Sequence, residues 1–354
     1  MKISTNISIN DWTAFINEHR SGTIFQSPEI FDFFRKVRRV EPLVLAAYDD
    51  EEKLCGVLMG IFTCEKEGIG KLLSSRMVIY GGPLLTGDED QKRSCLDAIL
   101  KELVHQTKGK ALFTQFRNYF SWEGYLDVFE RYGFTFLDRL NYIVRLPETG
   151  DRRPVTGNRL PDMSESRRRQ IRKGLSNGAE IIEPDSLEQL KEFYNILFKL
   201  YRYKIKKPLA DWSFFENFYK QTSPRPPSPV PHPPIGIIRL IRFEGKIIGG
   251  ILAPVFKDKC IYEWYICGLD KEYKDQYPSV LATWAAIEYA LNNNLNCFDF
   301  MGVGKPDVPY GVRDFKARFG GELVNYGRIT RINNPLLYNF AELGFNVLAL
   351  FKKI

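Results

Sequence analysis

The chain has 354 residues, of which 44% are hydrophobic and 26% charged, as is ordinary for a globular protein of about two to three domains. It contains no run of about 20 apolar residues, which excludes a membrane-spanning helix, and no apolar stretch follows Lys2, which argues against a secretory signal. The net charge of +7 favours anionic partners such as phosphates, nucleic acid or an anionic membrane face.

The first half of the chain predicts alternating helices and strands. A helix is predicted at Asn10–Glu18, and a second begins after Ser27, which is suited to cap it, with Pro28 at its first position. A hairpin, a strand, a long helix, a further strand and a short helix follow before paired strands that end at Leu146; the predicted ranges are Leu43–Tyr48, Leu54–Phe62, Met77–Tyr80, Glu89–Gln106, Ala111–Phe116 and Leu126–Tyr132.

Two polar segments interrupt the chain. Residues Gly150–Pro161 contain two prolines and are predicted to form a linker. A basic helix is predicted next, at Ser164–Asn177, with Asp162 and Glu165 spaced as a capping box. Residues Ser223–Pro234 carry seven prolines and are expected to form an extended surface loop, with an SH3-type ligand as the alternative.

The second half repeats the order of elements seen in the first. The predicted ranges are Ile235–Phe243, Ile247–Phe256, Cys260–Cys267, Pro278–Asn292, Cys297–Met301, a helix around Lys316 and closing strands that end at Ile332. The closing strands of the two halves, Asn141–Leu146 and Asn325–Ile332, also resemble each other. Two copies of such a unit predict an α/β fold with a mixed sheet in each half.

A short internal repeat marks the last helix of each half. Asp127–Phe134 and Asp314–Gly321 each predict a helix that ends in an aromatic residue followed by glycine and leads into a strand. Lys316 occupies the position at which the first copy has Phe129. A cation at a position that is expected to be buried is a candidate for added chemistry.

The six cysteines and three histidines do not indicate a metal site. The cysteines form no C-x-x-C pair and do not cluster with histidine. Reduced thiols are therefore expected, as is usual in the cytosol.

Several motifs together resemble a known family. The repeated unit with its aromatic-Gly pair resembles the GNAT acyltransferase fold, present twice. The order and spacing of further motifs are similar to those of the Fem family of peptidoglycan aminoacyltransferases; these motifs are Phe25–Pro28, Met163–Lys173, Tyr277-Pro278, Phe298–Gly302 and Phe315-Lys316.

The resemblance implies an α/β (α+β) fold of two tandem GNAT-like units, each a mixed twisted sheet flanked by helices. The expected domains are residues 1–150, residues 151–332 with the Phe-Lys pair, and residues 333–354. The last segment is expected to be a C-terminal helix that packs back on the first domain, with an interfacial membrane helix as the alternative.

The resemblance also implies a function. Members of the family are transferases that pass an amino acid from aminoacyl-tRNA to a free amine on the stem peptide of a lipid-linked or nucleotide-linked murein precursor. Aminoacyl-tRNA is then a co-substrate, and no cofactor is expected. The expected location is the cytoplasm, with possible peripheral contact with the inner face of the membrane.

Site residues follow from the same resemblance. The Phe-Lys pair maps onto Phe315 and Lys316, with the lysine near the reacting ester, and a family arginine that contacts precursor phosphate maps onto Arg202. The phosphate-binding basic residue of the family's N-terminal helix falls near Asp32, which departs from the pattern, and Arg35 and Lys36 lie one turn later.

Ester aminolysis explains why a lysine is useful at this position. Negative charge develops on the carbonyl oxygen, and a fixed cation stabilises it; loss of one such donor costs roughly 3–4 kcal/mol in comparable sites. A solvated surface lysine is the alternative interpretation of Lys316. Neither serine nor cysteine lies in a nucleophile motif, so we expect direct attack by the acceptor amine. Asp299 is a candidate proton acceptor or a structural residue at a strand end.

Other residues are candidates for binding substrate. The basic helix offers Arg168 and Arg172 to precursor or tRNA phosphates, with a solvated face as the alternative. Tyr203 and Tyr265 are the aromatic residues expected to face a cleft, and Tyr277 belongs to a family motif.

A CoA-dependent N-acyltransferase acting on a sugar or polyamine is the alternative function. Such GNAT enzymes bind pyrophosphate on the backbone of an R/Q-x-x-G-x-G/A loop that opens a helix. Here that segment has Tyr277 and Ser279 in place of both glycines, and Pro278 removes a donor. The usual mode of CoA binding is therefore disfavoured. A third possibility is a GNAT scaffold that binds a phosphorylated ligand without catalysis.

Overall fold

The computed structural model describes residues 1–65, 68–72, 74–146, 162–222 and 234–340. The chain forms two compact units. Unit 1 comprises the residues up to Asp138 together with the chain from Tyr326 onward, and unit 2 comprises Arg139–Asn325. The predicted linker, most of the proline-rich loop and residues 341–354 lie outside the described residues.

The α-helices and strands of unit 1 that precede unit 2 are β1 Lys2–Ser4, α1 Ile9–Glu18, α2 Pro28–Arg35, β2 Val40–Tyr48, β3 Leu54–Thr63, α3 Ile69–Leu72, β4 Arg76–Tyr80, β5 Leu84–Leu85, α4 Glu89–Thr107, β6 Phe113–Arg117, α5 Leu126–Arg131 and β7 Thr135–Leu137. Unit 2 then contains β8 Leu140–Arg145, α6 Glu165–Ser176, β9 Glu180–Ile182, α7 Leu187–Lys199, α8 Trp212–Thr222, β10 Gly236–Phe243, β11 Lys246–Phe256, β12 Cys260–Tyr262, β13 Tyr265–Gly268, α9 Pro278–Asn292, β14 Cys297–Asp299, α10 Gly311–Ala317 and β15 Glu322–Asn325. The last strand, β16 Arg328–Ile332, belongs to unit 1.

Each unit contains one mixed sheet. The strand order is β1-β2-β3-β4-β6-β16-β7 in unit 1, with β5 paired to β3, and β15-β8-β14-β12-β11-β10-β9 in unit 2, with β13 paired to β11. A parallel pair lies in the middle of each sheet, β4 with β6 and β12 with β14. The predicted α/β class with two related mixed sheets is confirmed.

The domain boundaries differ from the predicted 1–150, 151–332 and 333–354. Strand β8 follows unit 1 in the chain but pairs with β14 and β15 in unit 2, whereas β16 follows unit 2 but pairs with β6 and β7 in unit 1. The two strands that resemble each other in sequence therefore occupy equivalent places in the two sheets. Each is the last predicted strand of its own half of the sequence but pairs in the sheet of the other half.

Local sequence signals explain where α2 and α6 begin and where α5 and α10 end. Ser27 accepts a hydrogen bond from Ile30 N and caps α2, as predicted. Ser164, rather than the predicted Asp162, caps α6. Gly133 and Gly320 follow α5 and α10 with φ of 74° and 86°, a conformation that favours glycine. The aromatic-Gly repeat thus marks the same structural position twice.

Helices and sheets bury two apolar cores. In unit 1, α4 and α5 pack on the sheet through residues such as Leu96, Phe116 and Phe129. In unit 2, α9 is buried along most of its length and packs on strands that include Ile251 and Phe298. None of the helices in the described part of the chain combines the length and hydrophobicity needed to cross a bilayer.

The C-terminal segment is described as far as Phe340. Tyr338 makes an edge-to-face contact with Phe113 of β6, with the ring centroids 6.1 Å apart. This beginning of the segment contacts unit 1, and the remainder of the predicted helix lies outside the described residues.

The expectation of reduced thiols throughout is wrong for one pair. Cys260 and Cys297 form a disulfide, because the parallel register of β12 and β14 places them directly opposite each other with Cα atoms 4.7 Å apart. In the described residues, Cys55, Cys64, Cys95 and Cys267 are free thiols.

Candidate active site

One strand of the parallel pair of unit 2 is shorter than predicted. The predicted single strand Cys260–Cys267 is interrupted at Glu263, where the Glu263 amide donates to Asp299 O at 2.9 Å instead of to β11. Trp264 N then donates to Leu252 O, and β13 continues along β11. Such an irregularity re-aims a side chain, and here it directs the Glu263 carboxyl inward, where it is only 6% exposed.

Lys316 on α10 points into the same buried region and is 7% exposed. Its Nζ lies 2.9 Å from Glu263 Oε1 and donates to Phe300 O at 2.7 Å and Gly302 O at 3.3 Å. An ammonium has three protons to donate, and all three have an acceptor here. The alternative of a solvated surface lysine is therefore excluded.

Two buried carboxyl groups accompany the lysine. Burial raises the pKa of Glu263, while the Lys316 charge and the Thr283 hydroxyl lower it; Glu263 Oε2 nevertheless lacks a hydrogen bond of good geometry. Burial raises the pKa of Asp299 to about 7, although the Met301 amide, which donates to Asp299 Oδ1 at 2.6 Å, and Lys316 both lower it. Asp299 is therefore close to half-ionised near neutral pH.

A buried arginine fixes the helix that carries Lys316. Arg167 is 2% exposed, and its guanidinium lies over the rings of both Phe315 and Phe319, 4.4 Å from each centroid. It also donates to Phe315 O at 2.9 Å and to Gln170 Oε1 at 2.8 Å. Desolvation lowers the pKa of Arg167 to about 10. Phe315 thus contributes a stacking surface that joins α6 to α10.

The remaining cations of α6 are placed differently from Arg167. Arg168 is half-buried, whereas Arg172 and Lys173 are exposed. Lys173 Nζ pairs with Asp275 at 2.7 Å. Helix α6 therefore has an exposed basic face, as predicted, although Arg167 is buried.

The aromatic candidates separate into a packed and an exposed residue. Tyr265 is half-buried among Tyr201, Phe214 and Phe215, with ring centroids 5.0 to 6.0 Å from its own. Tyr203 is 68% exposed on a π-helical turn, and the neighbouring Arg202 guanidinium lies 5.5 Å from its ring. Tyr265 is thus half-buried at an aromatic cluster, and Tyr203 and Arg202 are on the surface.

The beginning of α9 differs from an open anion site. Tyr277 precedes the helix with φ of 50°, and Pro278 follows without an amide proton. Ser279 N donates to Asp270 Oδ1 at 3.0 Å, and its hydroxyl donates to Asp270 Oδ2. A carboxylate therefore already occupies the positive end of the helix.

Lys36, the candidate from unit 1, follows the end of α2. Its Nζ donates to Asp32 Oδ2 at 2.6 Å, one turn earlier. Asp32, which departs from the family pattern, is thus the ion-pair partner of Lys36.

The free thiol nearest in sequence to Glu263 is not a nucleophile. Cys267 is buried, and burial raises the pKa of its thiol well above the ordinary value. Burial likewise raises the pKa of Tyr262. These groups remain protonated at neutral pH, which agrees with direct attack by an amine.

Sequence reasoning missed Glu263, Asp270 and the buried position of Arg167. Glu263 is an isolated acidic residue in the apolar run Cys260–Cys267, and an isolated charge in a buried strand requires a partner. That signal was available for Glu263. Nothing in the local sequence distinguishes Arg167 from the arginines that follow it.

Comparisons with known proteins agree with this architecture. Residues 246–344 match the model of the FemAB family. No curated protein sequence matches the chain. A crystal structure of FemX superposes with a TM-score of 0.68 at 16% identity, covering 96% of this chain and 99% of that chain.

A tandem GNAT protein from the clavulanic acid biosynthesis pathway, determined without AcCoA, superposes with a TM-score of 0.55 at 9% identity, covering 94% of this chain and 99% of that chain. These likenesses confirm the tandem GNAT-like fold. The predicted resemblance to the Fem family is confirmed through the matched region, which contains Glu263, Asp299 and Lys316.

Proposed function

We propose that this chain, an acyltransferase of the Fem type, transfers an amino acid from an aminoacyl-tRNA to an amine of a peptidoglycan precursor. The observation that carries the proposal is the buried lysine of the Phe-Lys pair, held beside two carboxyl groups at the end of the parallel strands. The family match supports aminoacyl transfer in peptidoglycan metabolism, and the donor and the acceptor are our inference.

Lys316 supplies the positive charge in the proposed reaction. The acceptor amine attacks the ester carbonyl carbon, and negative charge develops on the carbonyl oxygen. All three ammonium protons are engaged before substrate binds, so one contact has to be exchanged. The longest is the 3.3 Å contact with Gly302 O, and we infer that this proton turns to the substrate oxygen.

Proton transfer balances the reaction. The amine nitrogen forms a bond to the carbonyl carbon, the bond from that carbon to the ribose oxygen breaks, and the amine proton has to reach the ribose oxygen that leaves. With a pKa of about 7, Asp299 can accept a proton and release it again near neutral pH. We assign this role to Asp299 and the counter-charge of Lys316 to Glu263.

The beginning of α9 supports a donor other than CoA. A pyrophosphate at this helix terminus would meet the Asp270 carboxylate, which already takes the Ser279 amide. An aminoacyl-tRNA does not need this position, because its ester is attached to a ribose.

Phosphate recognition is assigned to the half-buried Arg168 and to three exposed cations. Arg168 and Arg172 of α6, together with Arg202, are the proposed contacts of unit 2 for tRNA or precursor phosphates, and Lys36 is that of unit 1. Tyr265 and Tyr277 are proposed to line the substrate path. A lipid-linked precursor would place the reaction at the cytoplasmic face of the membrane.

Transfer of a radiolabelled amino acid tests the proposal. Purified protein is mixed with charged tRNA and a nucleotide-linked precursor, and label on the precursor is counted. Lys316→Met is expected to slow transfer at least about 100-fold, because it removes the charge that stabilises the oxyanion. Lys271→Met, an exposed lysine of the same unit, serves as the control and should retain the wild-type rate. Equal rates for Lys316→Met and wild type would remove Lys316 from the mechanism.

CoA binding is expected to be absent. Acetyl-CoA at micromolar concentration should leave the melting temperature of the protein unchanged, because Asp270 occupies the helix terminus where pyrophosphate would bind. Differential scanning fluorimetry with and without acetyl-CoA provides the measurement. A rise of several degrees that Asp270→Asn strengthens would instead favour the CoA-dependent alternative.

A further inference from the structure

Helix α10 holds the segment of chain that precedes it. Arg313 lies three residues before Lys316 on this helix, and side chains at this spacing are neighbours on one helix face. The Arg313 guanidinium donates to four backbone carbonyl oxygens, which are Val303 O at 3.2 Å, Pro306 O at 3.1 Å, Val308 O at 3.3 Å and Lys305 O. Four of its five N–H donors thus hold the backbone of a single loop.

Lys316 binds the beginning of the same segment. Its ammonium donates to Phe300 O and Gly302 O, so that six carbonyl oxygens of residues 300–308 are directed at two cations of one short helix. The backbone amide of Arg313 also donates to Tyr310 O at 2.7 Å, where the segment joins the helix.

The turn between the two carbonyl groups bound by Lys316 has an unfavourable conformation. Gly302 N donates to Phe300 O at 2.8 Å across Met301, whose φ is 63°. A hydrogen bond that spans one residue with positive φ is the strained form of the γ-turn. A side chain with a Cβ adopts this conformation only where the surrounding contacts enforce it.

This strained turn serves both candidate catalytic groups. Its carbonyl oxygens accept from Lys316, and the Met301 amide donates to Asp299 Oδ1 at 2.6 Å. Beyond the turn, Val303 N donates to Leu140 O at 2.7 Å, while Val303 O accepts from Arg313 Nε. Arg313 therefore holds the carbonyl group of the residue that directly follows the turn.

We propose that Arg313 is a positioning residue for acyl transfer, which holds residues 303–308 against α10 and thereby keeps the turn at Met301 in place beside the Lys316 ammonium. The inference rests on the proposed function, in which the substrate oxygen takes the place of Gly302 O at Lys316. Arg313 acts through the loop, and the ammonium acts on the substrate.

Steady-state transfer kinetics of Arg313→Gln test this role. The substitution is expected to lower kcat at least about tenfold, because a displaced turn leaves the ammonium out of position for the oxyanion. The KM for aminoacyl-tRNA should change less than about threefold, since phosphate contacts are assigned to other cations. Arg313→Lys should have an intermediate kcat, because an ammonium keeps the charge but loses the planar fork that reaches four oxygens.

Arg242→Gln is the matched control. Arg242 lies on β10 of the same unit, and its Nη2 pairs with Glu180 Oε2 at 2.6 Å. This arginine is remote in sequence from α10 and holds none of the 300–308 carbonyl groups. Its loss should therefore leave both kcat and KM at the wild-type values.

Chymotrypsin cleavage after Tyr310 measures the order of the loop independently of transfer. Tyr310 is 43% exposed and directly follows the segment held by Arg313. Cleavage of the ligand-free protein, followed by mass spectrometry, should be at least about fivefold faster in Arg313→Gln than in the wild type, because local opening no longer breaks four hydrogen bonds. Arg242→Gln should be cleaved at the wild-type rate.

Three results would each overturn the proposal: Arg313→Gln transfers with the kcat of the wild type, its defect lies in KM alone, or its loop is cleaved no faster. If Arg313→Gln does not fold, Arg313→Lys carries the same comparison with the same expected directions. A wild type that transfers no amino acid contradicts the proposed function, whereas a wild-type kcat in Arg313→Gln contradicts the positioning role alone.

Discussion

Lys316→Met is expected to destabilise the chain by about 3–5 kcal/mol, because it leaves the Glu263 carboxyl buried without its positive partner. The Phe300 and Gly302 carbonyl oxygens also lose their donor, which adds to the loss. The free energy of unfolding, measured by urea denaturation at pH 8, is the relevant quantity.

A second substitution separates the ion pair from the other contacts. In Lys316→Met/Glu263→Leu neither charge remains, and the double variant should recover at least half of the lost free energy. It should not recover transfer, since the oxyanion still lacks a cation. Recovery of stability without activity distinguishes a catalytic lysine from one that only supports the fold.

The matched control is an ion pair of the same type at the surface. Lys220 Nζ lies 2.6 Å from Glu216 Oε1, four residues earlier on α8, and the lysine side chain is 57% exposed. Lys220→Met should cost no more than about 0.5 kcal/mol, because solvent screens such pairs. If Lys316→Met costs no more than Lys220→Met, the ammonium is not part of a buried pair and the site has been assigned incorrectly.

The sequence predicted the two-unit fold because its signals are local. Ser27-Pro28 marks the beginning of a helix, and the aromatic-Gly pairs mark the ends of α5 and α10 through the left-handed conformation that glycine adopts most easily. The order of strands and helices follows from such signals and from hydrophobic periodicity.

Pairing between distant strands is not a local property. The places of β8 and β16 depend on which sheet offers a free edge, and no residue in either strand identifies the strand with which it pairs. The disulfide has the same origin, because Cys260 and Cys297 become neighbours only through the parallel register. These features were accordingly the ones that sequence reasoning did not predict.

The candidate site was predicted in part. Lys316 was identifiable because a repeat shows Phe129 at the same position, and both side chains are buried. The Glu263 carboxyl was missed because its inward direction depends on the break between β12 and β13, which a continuous apolar run conceals. An isolated acid in such a run is the pattern to search for.

Asp299→Asn is expected to become progressively more stable than the wild type as the pH rises from about 4 to about 8. Burial raises the pKa of Asp299 from 3.8 to about 7 in the folded state, so the folded state binds the proton more tightly than the unfolded state. Such a group adds stability below the unfolded pKa and loses it as the pH rises through the folded pKa. This increase in the pKa corresponds to a change of about 4 kcal/mol in the free energy of unfolding. Denaturation of both proteins across this pH range measures the difference.

Asp275→Asn provides a control of opposite sign. The Lys173 ammonium lowers the pKa of Asp275, so the contribution of this surface carboxylate is present above its unfolded pKa and disappears only in acid. Between pH 5 and 8 the Asp275→Asn difference should be flat. A flat Asp299→Asn difference over the same range would mean that Asp299 titrates as an ordinary exposed acid.

The same ionisation links stability to transfer. Asp299 can take a proton from the acceptor amine only as a carboxylate, so the transfer rate should fall on the acid side with a midpoint near the folded pKa of about 7, the pH at which the stability difference levels off. Asp299→Asn keeps the oxygen that accepts from Met301 N but cannot accept a proton. If the wild-type transfer rate does not change with pH around this midpoint, Asp299 does not accept the proton and has a structural role only. The amine proton would then be removed by a group of the substrate.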